Sequence, residues 1–574
     1  VIFQELQDRY GEAWALNNLG RTYDALGKHD QAISFYQQSL PIFRKAKNLD
    51  GEAWSLNNLG VAYDALSQHD RAISFYQQSL PIFRKIKSLD GEVTALKNLG
   101  LAYNTIADYD RAISFLNQAI PLFRQAKDRK GEAETLQQLG TTYASLSQRE
   151  KAIPLYKQAL SIFQQIRDQT GEAWLLNDLG VTYDALSLYD QAINSYNRAI
   201  PIFREIQDSY GEATALRNLG LTYNERYQRQ QAISYLNQAL SIFQESQNRY
   251  WEAYTLKSLG GIYHSLSEYE QAIPLFNQAL PIFQEIQNLN GEAQTLMNIG
   301  NTYTFLSQYG QAVNFLNRSL NIFQKAKNAN GKAYALVNLG YTYLLLAQTE
   351  QAIVYLNQAL PLLQETNDRK GETAALVNLG NAYRSLLKYD QAIFNLNQAR
   401  SIAQNVKDRR GEAKSLRILG NTYADLSQHD RAISFYSQSL LIYQEIQDRD
   451  GEAWSLNYLG NSYAALSQDD RAISFYNQAL PIFQAIQDRN GEAATLSLVG
   501  HLMERQKQPE QAISFYKKSI NIYETIRADI RKLPKDSQAA YARSVANTYQ
   551  SLANLLIAQG QGLEAQQILE WLKI

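Results

Sequence analysis

The chain has 574 residues, with 55 lysines and arginines, 56 aspartates and glutamates, 5 scattered histidines and no cysteine. The balanced charge lacks the basic excess of a nucleic-acid-binding protein, and the absence of cysteine or paired histidines excludes a thiolate or His-rich metal site. No apolar run approaches the ~18 residues that cross a bilayer, so we expect no membrane partner. We also expect a cytoplasmic protein with no cofactor, metal or nucleic-acid partner.

The glycines reveal an internal repeat. Thirteen of the 30 glycines form one regular series from Gly20 and Gly60 to Gly500, and twelve more form a second from Gly11 and Gly51 to Gly491, which only Trp251 interrupts. Both series have a period of 40, which predicts thirteen repeats over residues 11–530. We name a repeat position by its residue number in the first repeat, so that position 18 includes residues 58 and 98. Residues 1–10 match the end of an earlier repeat, which predicts that the chain is a piece of a longer protein.

Each repeat carries two amphipathic helical patterns. Apolar residues recur at steps of three and four in both halves, without the alternation of a strand. Asp, Asn or Ser stands before each first helix, at residues 8, 48, 88 and so on to 488, as an N-cap residue does. The break between the helices often reads Ser-x-x-Asp, as in Ser67 and Asp70, which predicts a capping box. We expect about 28 helices, and a close crossing of Gly20 on the first helix against Ala32 on the second.

The repeat motif resembles the tetratricopeptide repeat, a resemblance carried by Leu16-x-x-Leu19-Gly20-x-x-Tyr23 and Ala32-x-x-x-Tyr36. The period of 40 instead of 34 resembles the longer repeats of kinesin light chain and related adaptors. The resemblance implies an all-α fold, an α-solenoid of about 14 helical hairpins wound as a right-handed superhelix. It also implies a concave wall built by the first helix of each repeat.

The last residues, 531–574, leave the repeat frame and predict an atypical helical pair that caps the array. Leu533 to Ser537 and Leu569 to Lys573 look like the junction before the caspase-like CHAT protease domain of bacterial, often cyanobacterial, proteins. That resemblance implies a possible downstream protease domain, whose His and Cys are not in this chain.

Asparagines on the expected concave face are the first candidate ligand-binding residues. An amide offers both a donor and an acceptor, so a ladder of asparagines can hold the backbone of an extended peptide. The alternative is an asparagine that bonds a neighbouring helix of its own chain. The candidates are Asn18, Asn58, Asn98, Asn218, Asn298, Asn338 and Asn378 at position 18, with Asn421 and Asn461 at position 21 of the same face.

Basic residues join this ladder and become more frequent in the later repeats. Their clustering there predicts an acidic ligand or a free carboxylate, whereas an isolated surface charge ordinarily only aids solubility. The basic candidates are Lys97, Arg217, Lys257, Arg384, Lys414 and Arg417.

Four tryptophans at position 14 leave two interpretations open. Exposed tryptophan is a common anchor in protein interfaces, and it is also a good packing residue between repeats. The four are Trp14, Trp54, Trp174 and Trp454.

We therefore expect a non-catalytic scaffold that binds an extended peptide or protein segment in its concave groove. The sequence has no phosphate-binding loop, metal cluster or nucleophile–base pair that would indicate an enzyme. The alternative is a sensory array that gates a downstream CHAT protease.

Overall fold

The computed structural model describes residues 9–266, 268–532 and 534–571. All regular secondary structure in these residues is helical, with 28 α-helices and one 3₁₀ turn, so the all-α prediction is confirmed. The chain divides into two compact units, Val1–Thr222 (unit 1) and Tyr223–Ile574 (unit 2). Odd-numbered helices up to α25 are the first helices of the repeats, called helix A, and even-numbered ones up to α26 are the second, called helix B.

The helices of unit 1 are α1 (Arg9–Ala25), α2 (His29–Lys45), α3 (Leu49–Ala65), α4 (His69–Ile86), α5 (Leu89–Thr105), α6 (Tyr109–Ala126), α7 (Arg129–Ser145), α8 (Arg149–Ile166), α9 (Gln169–Ala185), α10 (Tyr189–Glu205) and α11 (Ser209–Glu225), within which the boundary with unit 2 falls.

The helices of unit 2 are α12 (Arg229–Glu245), α13 (Arg249–Ser265), α14 (Tyr269–Glu285), α15 (Leu289–Phe305), α16 (Tyr309–Lys325), α17 (Ala329–Leu345), α18 (Thr349–Glu365), α19 (Arg369–Ser385), α20 (Tyr389–Asn405), α21 (Arg409–Asp425), α22 (His429–Glu445), α23 (Arg449–Ala465), α24 (Asp469–Ala485), α25 (Arg489–Arg505), α26 (Pro509–Asp529), the 3₁₀ turn Ile530–Lys532, α27 (Lys535–Ala558) and α28 (Gly562–Glu570).

Helix A begins at the predicted N-cap. The Asn48 side chain accepts a hydrogen bond from the Gly51 backbone N at 3.0 Å, and Asp128 accepts one from Gly131 at 2.9 Å. The bond supplies a partner for one of the backbone N–H groups that the first helical turn leaves free. The Asp8 cap lies outside the described residues.

The start of helix B differs from the predicted capping box. Ser67 has a φ of 59°, in the left-handed region, and helix B begins shortly after it at His69, preceded by Gln68, which makes no side-chain cap. The serine thus ends helix A instead of starting helix B. The same left-handed turn recurs at nearly every helix end of the described chain, as at Lys47 and Lys87. In the first repeat a glycine, Gly27, occupies this turn after helix A.

The repeated glycine at position 20 lies at a close helix crossing, but its partner is not the predicted alanine. A Cβ on Gly20 would lie 2.5 Å from a ring carbon of Tyr36 in helix B. Where leucine replaces that tyrosine, as at Leu316, a Cβ on Gly300 would also come within 3.1 Å of the Ala312 backbone O. The side chain at position 36, one helical turn past the alanine, therefore fills the space that a Cβ would need.

The position-14 tryptophans pack within the array. The Trp54 ring meets the Phe83 ring edge-on with centroids 5.0 Å apart, and Trp454 meets Phe483 in the same way at 5.1 Å. The Trp454 indole N–H also donates to Asp488, the N-cap of the next helix A, at 3.1 Å. These contacts support the packing interpretation.

Within unit 2, repeats that are distant in the sequence are in direct contact. Ser307, between α15 and α16, donates to Asp488 at 3.1 Å and accepts from the Asn490 backbone N at 3.1 Å. The Gly310 backbone N donates to Asp529 at 3.0 Å. These contacts, which we call the clasp, join the α15–α16 corner to the start of α25 and the end of α26, and they bring distant helices A around a common space.

In the described residues, no helix has the length and apolarity needed to cross a bilayer. The same residues contain no group of three or more His, Asp or Glu side chains placed to hold a metal ion.

Candidate functional site

The position-18 asparagines of unit 1 are engaged between repeats. The Asn58 amide donates to the Asn17 side-chain O at 3.2 Å, and the Asn98 amide to Asn57 at 3.4 Å. Asn218 makes the same bond to Asn177 at 3.1 Å. These bonds join adjacent helices A, as in the alternative interpretation of the ladder.

Asn18 begins the series and is exposed on α1, where its backbone O accepts from Thr22 at 3.0 Å.

The position-18 asparagines of unit 2 are not engaged in this way. Asn298, Asn338 and Asn378 lie on α15, α17 and α19. The backbone O of Asn298 accepts from Thr302 at 2.7 Å and that of Asn338 from Thr342 at 2.9 Å, while no side-chain hydrogen bond joins the three amides to other described residues. Asn298 and Asn338 are partly exposed, so their amides are open to a ligand, whereas Asn378 is buried.

The two position-21 asparagines contact the tyrosine of their own repeat. The Tyr436 hydroxyl donates to the Asn421 side-chain O at 2.8 Å, and the Tyr476 hydroxyl to Asn461 at 2.7 Å. Each tyrosine is the residue that packs on the crossing glycine. One function of both asparagines is thus to supply a partner for a buried phenol.

Four of the six basic candidates already interact with other residues of the chain, three of them through an ion pair or a hydrogen bond. Lys97 pairs with Glu134 at 2.5 Å, and Arg384 with Asp425 at 2.8 Å. The Lys257 ammonium bonds the side-chain O of Gln294 and lies 4.6 Å from the Tyr254 ring centroid. Arg217 also takes part in an interaction within the chain.

The remaining two, Lys414 and Arg417 on α21, contact aromatic rings. The Lys414 ammonium lies 4.6 Å from the Tyr341 ring centroid, and the Arg417 guanidinium 5.8 Å from that of Tyr458. Arg417 is 7% exposed and lies near the Tyr443 phenol, while its Nε has no hydrogen-bond partner.

Five of the predicted site residues line one cavity of about 240 Å³ in unit 2. The helices A α15, α17, α19, α21 and α23 surround it, together with α27, so residues far apart in the sequence meet there. The five predicted residues are Asn378, Arg384, Lys414, Arg417 and Asn421. The other candidates do not line it.

The cavity also contains two carboxylates that the sequence analysis missed, Asp450 and Asp488. Burial, with Asp488 and Asp448 nearby, raises the pKa of Asp450 to about 7, and burial raises the pKa of Asp488 to about 6. Asp488 was visible in the sequence only as a helix cap, and it reaches the cavity because the clasp brings α25 back towards α15.

Burial also acts on the cations of the cavity. Burial, with Arg417 and Arg410 nearby, lowers the pKa of Lys414 to about 8. The cavity therefore holds ammonium, guanidinium and carboxylate groups in a partly dehydrated space, where an ionic ligand group gains more from a partner than it does in water.

These helical hairpins define a repeat protein of the α-solenoid class, as predicted. A family model described as tetratricopeptide repeat matches most of the chain, and the chain belongs to this family. The matches span residues 2–45, 11–85, 51–125, 91–165, 131–205, 211–285, 291–365, 371–445, 413–485 and 451–525. Arrays of this kind present extended surfaces for protein binding, which is the general role that membership implies.

Solved structures with similar helical arrays share little sequence with this chain. The APC/C hetero-tetramer Cut9-Hcn1 is 17% identical with a TM-score of 0.48, covering 92% of this chain and 96% of that one. A Rap protein complexed with Competence and Sporulation Factor is 16% identical with a TM-score of 0.48, covering 64% and 99%. BtubC (BKLC) from P. vanneervenii is 22% identical with a TM-score of 0.35, covering 39% and 91%. Comparison with the curated proteins gave no match.

Proposed function

We propose that the chain is a non-catalytic scaffold that binds an extended peptide or protein segment on the helix-A face of unit 2. The observation that carries the proposal is the cavity, which gathers Asn378 and Asn421 with Arg384, Lys414 and Arg417. Asn298 and Asn338 extend the surface along the preceding repeats. The segment places a carboxylate beside Lys414 and Arg417, which have no ion-pair partner among the described residues, whereas Arg384 is paired with Asp425.

The proposal concerns unit 2 because the corresponding amides of unit 1 are engaged within the array. Asn58, Asn98 and Asn218 donate to the preceding repeat, and Lys97 has a carboxylate partner. A ligand would have to break these bonds before it gained its own, and the net gain from each exchange would be small.

The test uses peptides selected for binding to the purified chain from a random library, followed by calorimetry. In a variant with Asn298, Asn338 and Asn378 replaced by alanine, we expect each lost amide–backbone pair to weaken binding by about 1 kcal/mol. The matched control replaces Asn58, Asn98 and Asn218 at the same repeat position. Equal affinities of the wild type and the unit 2 variant would place the peptide elsewhere.

A second candidate function is the sensory array of a larger protein, in which ligand binding gates a downstream CHAT protease. The supporting observation is that α27 lines the cavity with Ser544, while Ser537 near its start donates to Gln348 at 3.0 Å. A ligand in the cavity would thus contact the helix that leads towards the C-terminus. The test is to read the coding sequence beyond Ile574 and, if a protease follows, to assay its activity with and without the selected peptide.

We also propose that this array is an adaptor of the long-repeat type that kinesin light chain represents, acting in a bacterial cytoplasm. Its support is the long repeat period, maintained without insertion from residue 11 to residue 530. Localisation of a fluorescent fusion in the source cell tests the compartment.

A further inference from the structure

The cavity of unit 2 contains opposite charges that do not pair with each other. Lys414 and Arg417 on α21 and Asp450 on α23 all line it. No ion pair involves any of the three among the described residues, although nearby Arg410 pairs with Asp448 at 2.7 Å. Both signs of charge are therefore available to one ligand.

Burial makes these unpaired charges costly. Arg417 is 7% exposed with an unpartnered Nε, and a buried charged donor without an acceptor destabilises the folded state. Asp450 lies near Asp448 and Asp488, so its carboxylate meets like charges as well as burial. A ligand that carried only negative charge would pair with Arg417 but would be repelled by this group of carboxylates.

Aromatic side chains supply the apolar part of the cavity. Tyr341, Trp454 and Tyr458 all line it, and the Trp454 and Tyr458 rings stack with centroids 5.6 Å apart. Rings of this kind accommodate the methylene stem of a long basic side chain and attract its cationic end.

The size of the cavity limits the ligand. Its volume of about 240 Å³ lies just below the range of ~300–1,000 Å³ that is typical of small-molecule sites. One chain end or one small molecule fits, whereas a folded partner does not.

Building on the proposed peptide site, we propose that the cavity takes a group that carries both a carboxylate and a basic side chain. A peptide with lysine or arginine as its last residue has this chemistry, and so does the free amino acid. The carboxylate meets Arg417 and Lys414, the cationic end meets Asp450, and the methylenes lie against Tyr341 and Trp454. Asp450 is thus the residue that sets specificity for a basic end.

Calorimetry with defined probes tests this specificity. The first probe is the heptapeptide Gly-Ser-Gly-Ser-Gly-Ser-Lys with a free carboxylate, compared with its C-terminal amide and with the same peptide ending in norleucine. We expect the free-carboxylate lysine peptide to bind at least tenfold more tightly than either analogue. Free L-lysine, compared with cadaverine and norleucine, shows whether the amino acid alone is sufficient.

Two matched variants assign the effect to the cavity. Asp450→Asn is expected to abolish the preference for lysine over norleucine while retaining the preference for a free carboxylate. Asp50→Asn changes the same repeat position in unit 1, where the aspartate is exposed, and is expected to leave every affinity unchanged. Arg417→Gln is expected to abolish the preference for the free carboxylate over the amide.

The outcomes separate this inference from the proposed function. If none of the lysine probes binds at millimolar concentration, or if lysine, norleucine and amide peptides bind equally, the inference is wrong. Library-selected peptides whose binding depends on Asn298 and Asn338 would then still support the proposed peptide site on the helix-A face of unit 2. Selective binding of the lysine probes, together with normal binding of library peptides by the triple asparagine variant, would give a different result. The proposed extended peptide site would then be wrong, and the cavity's specificity for a basic end would stand.

Discussion

The two units are built from the same repeat, yet their helix-A surfaces use the same residue type differently. In unit 1, Asn58 and Asn98 each donate to the preceding repeat, so the amides hold neighbouring helices together. In unit 2, Asn338 and Asn378 have no such partner among the described residues, and Asn378 lines a cavity. A repeat position therefore does not determine a function by itself. The residue at position 17 of the preceding repeat decides whether the amide at position 18 has a hydrogen-bond acceptor.

A second difference lies between helix B and the next helix A. In most repeats of unit 1 an arginine at position 44 pairs with a glutamate, as Arg44 does with Glu52 at 2.8 Å. In most repeats of unit 2 glutamine takes this position, as in Gln284, which donates to Glu292 at 2.9 Å. The hydrogen bond remains while the charge is lost, which indicates that the units differ in surface charge and share one packing scheme.

The largest expected effect tests the shared packing. Gly260→Leu should destabilise the fold by about 3 kcal/mol, since a Cβ there would lie 2.6 Å from a ring carbon of Phe276. Gly140→Leu in unit 1 should cost a similar amount, because a Cβ on Gly140 meets Tyr156 at the same 2.6 Å. The measurement is chemical denaturation with hydrogen exchange to assign the affected repeats.

The neighbouring Gly261 provides the control for this prediction. A Cβ on Gly261 has no atom within 4 Å, so Gly261→Leu should be neutral or stabilise the helix by up to about 1 kcal/mol. If substitution at Gly260 cost no more than substitution at Gly261, the close crossing would not explain the repeated glycine.

The next effect concerns pH and is specific to unit 2. Burial beside Asp488 and Asp448 raises the pKa of Asp450 to about 7, with Arg417 and Arg410 opposing the rise. The folded state thus binds a proton more tightly than the unfolded state, so this group lowers the free energy of unfolding as the pH rises from about 4 to 7, and the full cost persists above 7.

Asp450→Asn removes this dependence. At pH 8 we expect the variant to be more stable than the wild type by about 2 kcal/mol, and at pH 4 the two to be equal. Melting curves of both proteins across this range measure the difference, and Asp50→Asn is the exposed control. A constant difference between pH 4 and pH 8 would contradict the prediction.

Single substitutions should show that the position-18 asparagines contribute to stability in unit 1 but not in unit 2. Asn58→Ala removes a bond between repeats and should lower the free energy of unfolding by about 1 kcal/mol. Asn338→Ala removes no side-chain bond to a described residue and should be nearly neutral, as a helix position open to a ligand tolerates alanine. Denaturation curves compare them, and a loss of stability at Asn338 equal to that at Asn58 would indicate a structural function in both units.

The smallest effect concerns the arginine–glutamine difference. Arg44→Gln replaces a half-exposed ion pair by the bond that unit 2 already uses, and should cost no more than about 0.5 kcal/mol. The measurement is the melting temperature at low and high salt, since the small loss should vanish when salt screens the pair. A loss that persists at high salt would show that Arg44 acts through packing of its aliphatic stem.

Much of the fold could be predicted because the local signals repeat thirteen times. The glycine period, the N-cap at position 48 and the apolar spacing each give the same helix boundaries. The capping box at Ser67 was wrong because its local pattern also suits a residue that ends a helix in the left-handed region. The predicted crossing partner of Gly20 was wrong because a small residue such as Ala32 was expected to meet glycine. Instead, the ring of Tyr36 fills the space that a Cβ on Gly20 would need.

The candidate site was harder to predict than the fold. Arg384, Lys414 and Arg417 were recognised from their charge and their place on helix A. Asp450 and Asp488 were not, because they reach the cavity through the clasp, which joins residues distant in the sequence, as Ser307 and Asp488 are. No periodic signal within one repeat contains that information.

The left-handed residue at the helix ends has a consequence for engineering. Serine, lysine and glutamine occupy a backbone conformation that costs an L-residue roughly 1 kcal/mol, as at Ser67, Lys87 and Gln207. Glycine adopts it without that cost, as Gly27 does with a φ of 71°. The turns at Ser307 and Ala347 line the cavity and are left unchanged, whereas turns such as those at Ser67, Lys87 and Gln207 lie outside it. A thermostable variant can therefore be assembled by introducing glycine at one turn after another, with gains that add up because stability in such arrays is local.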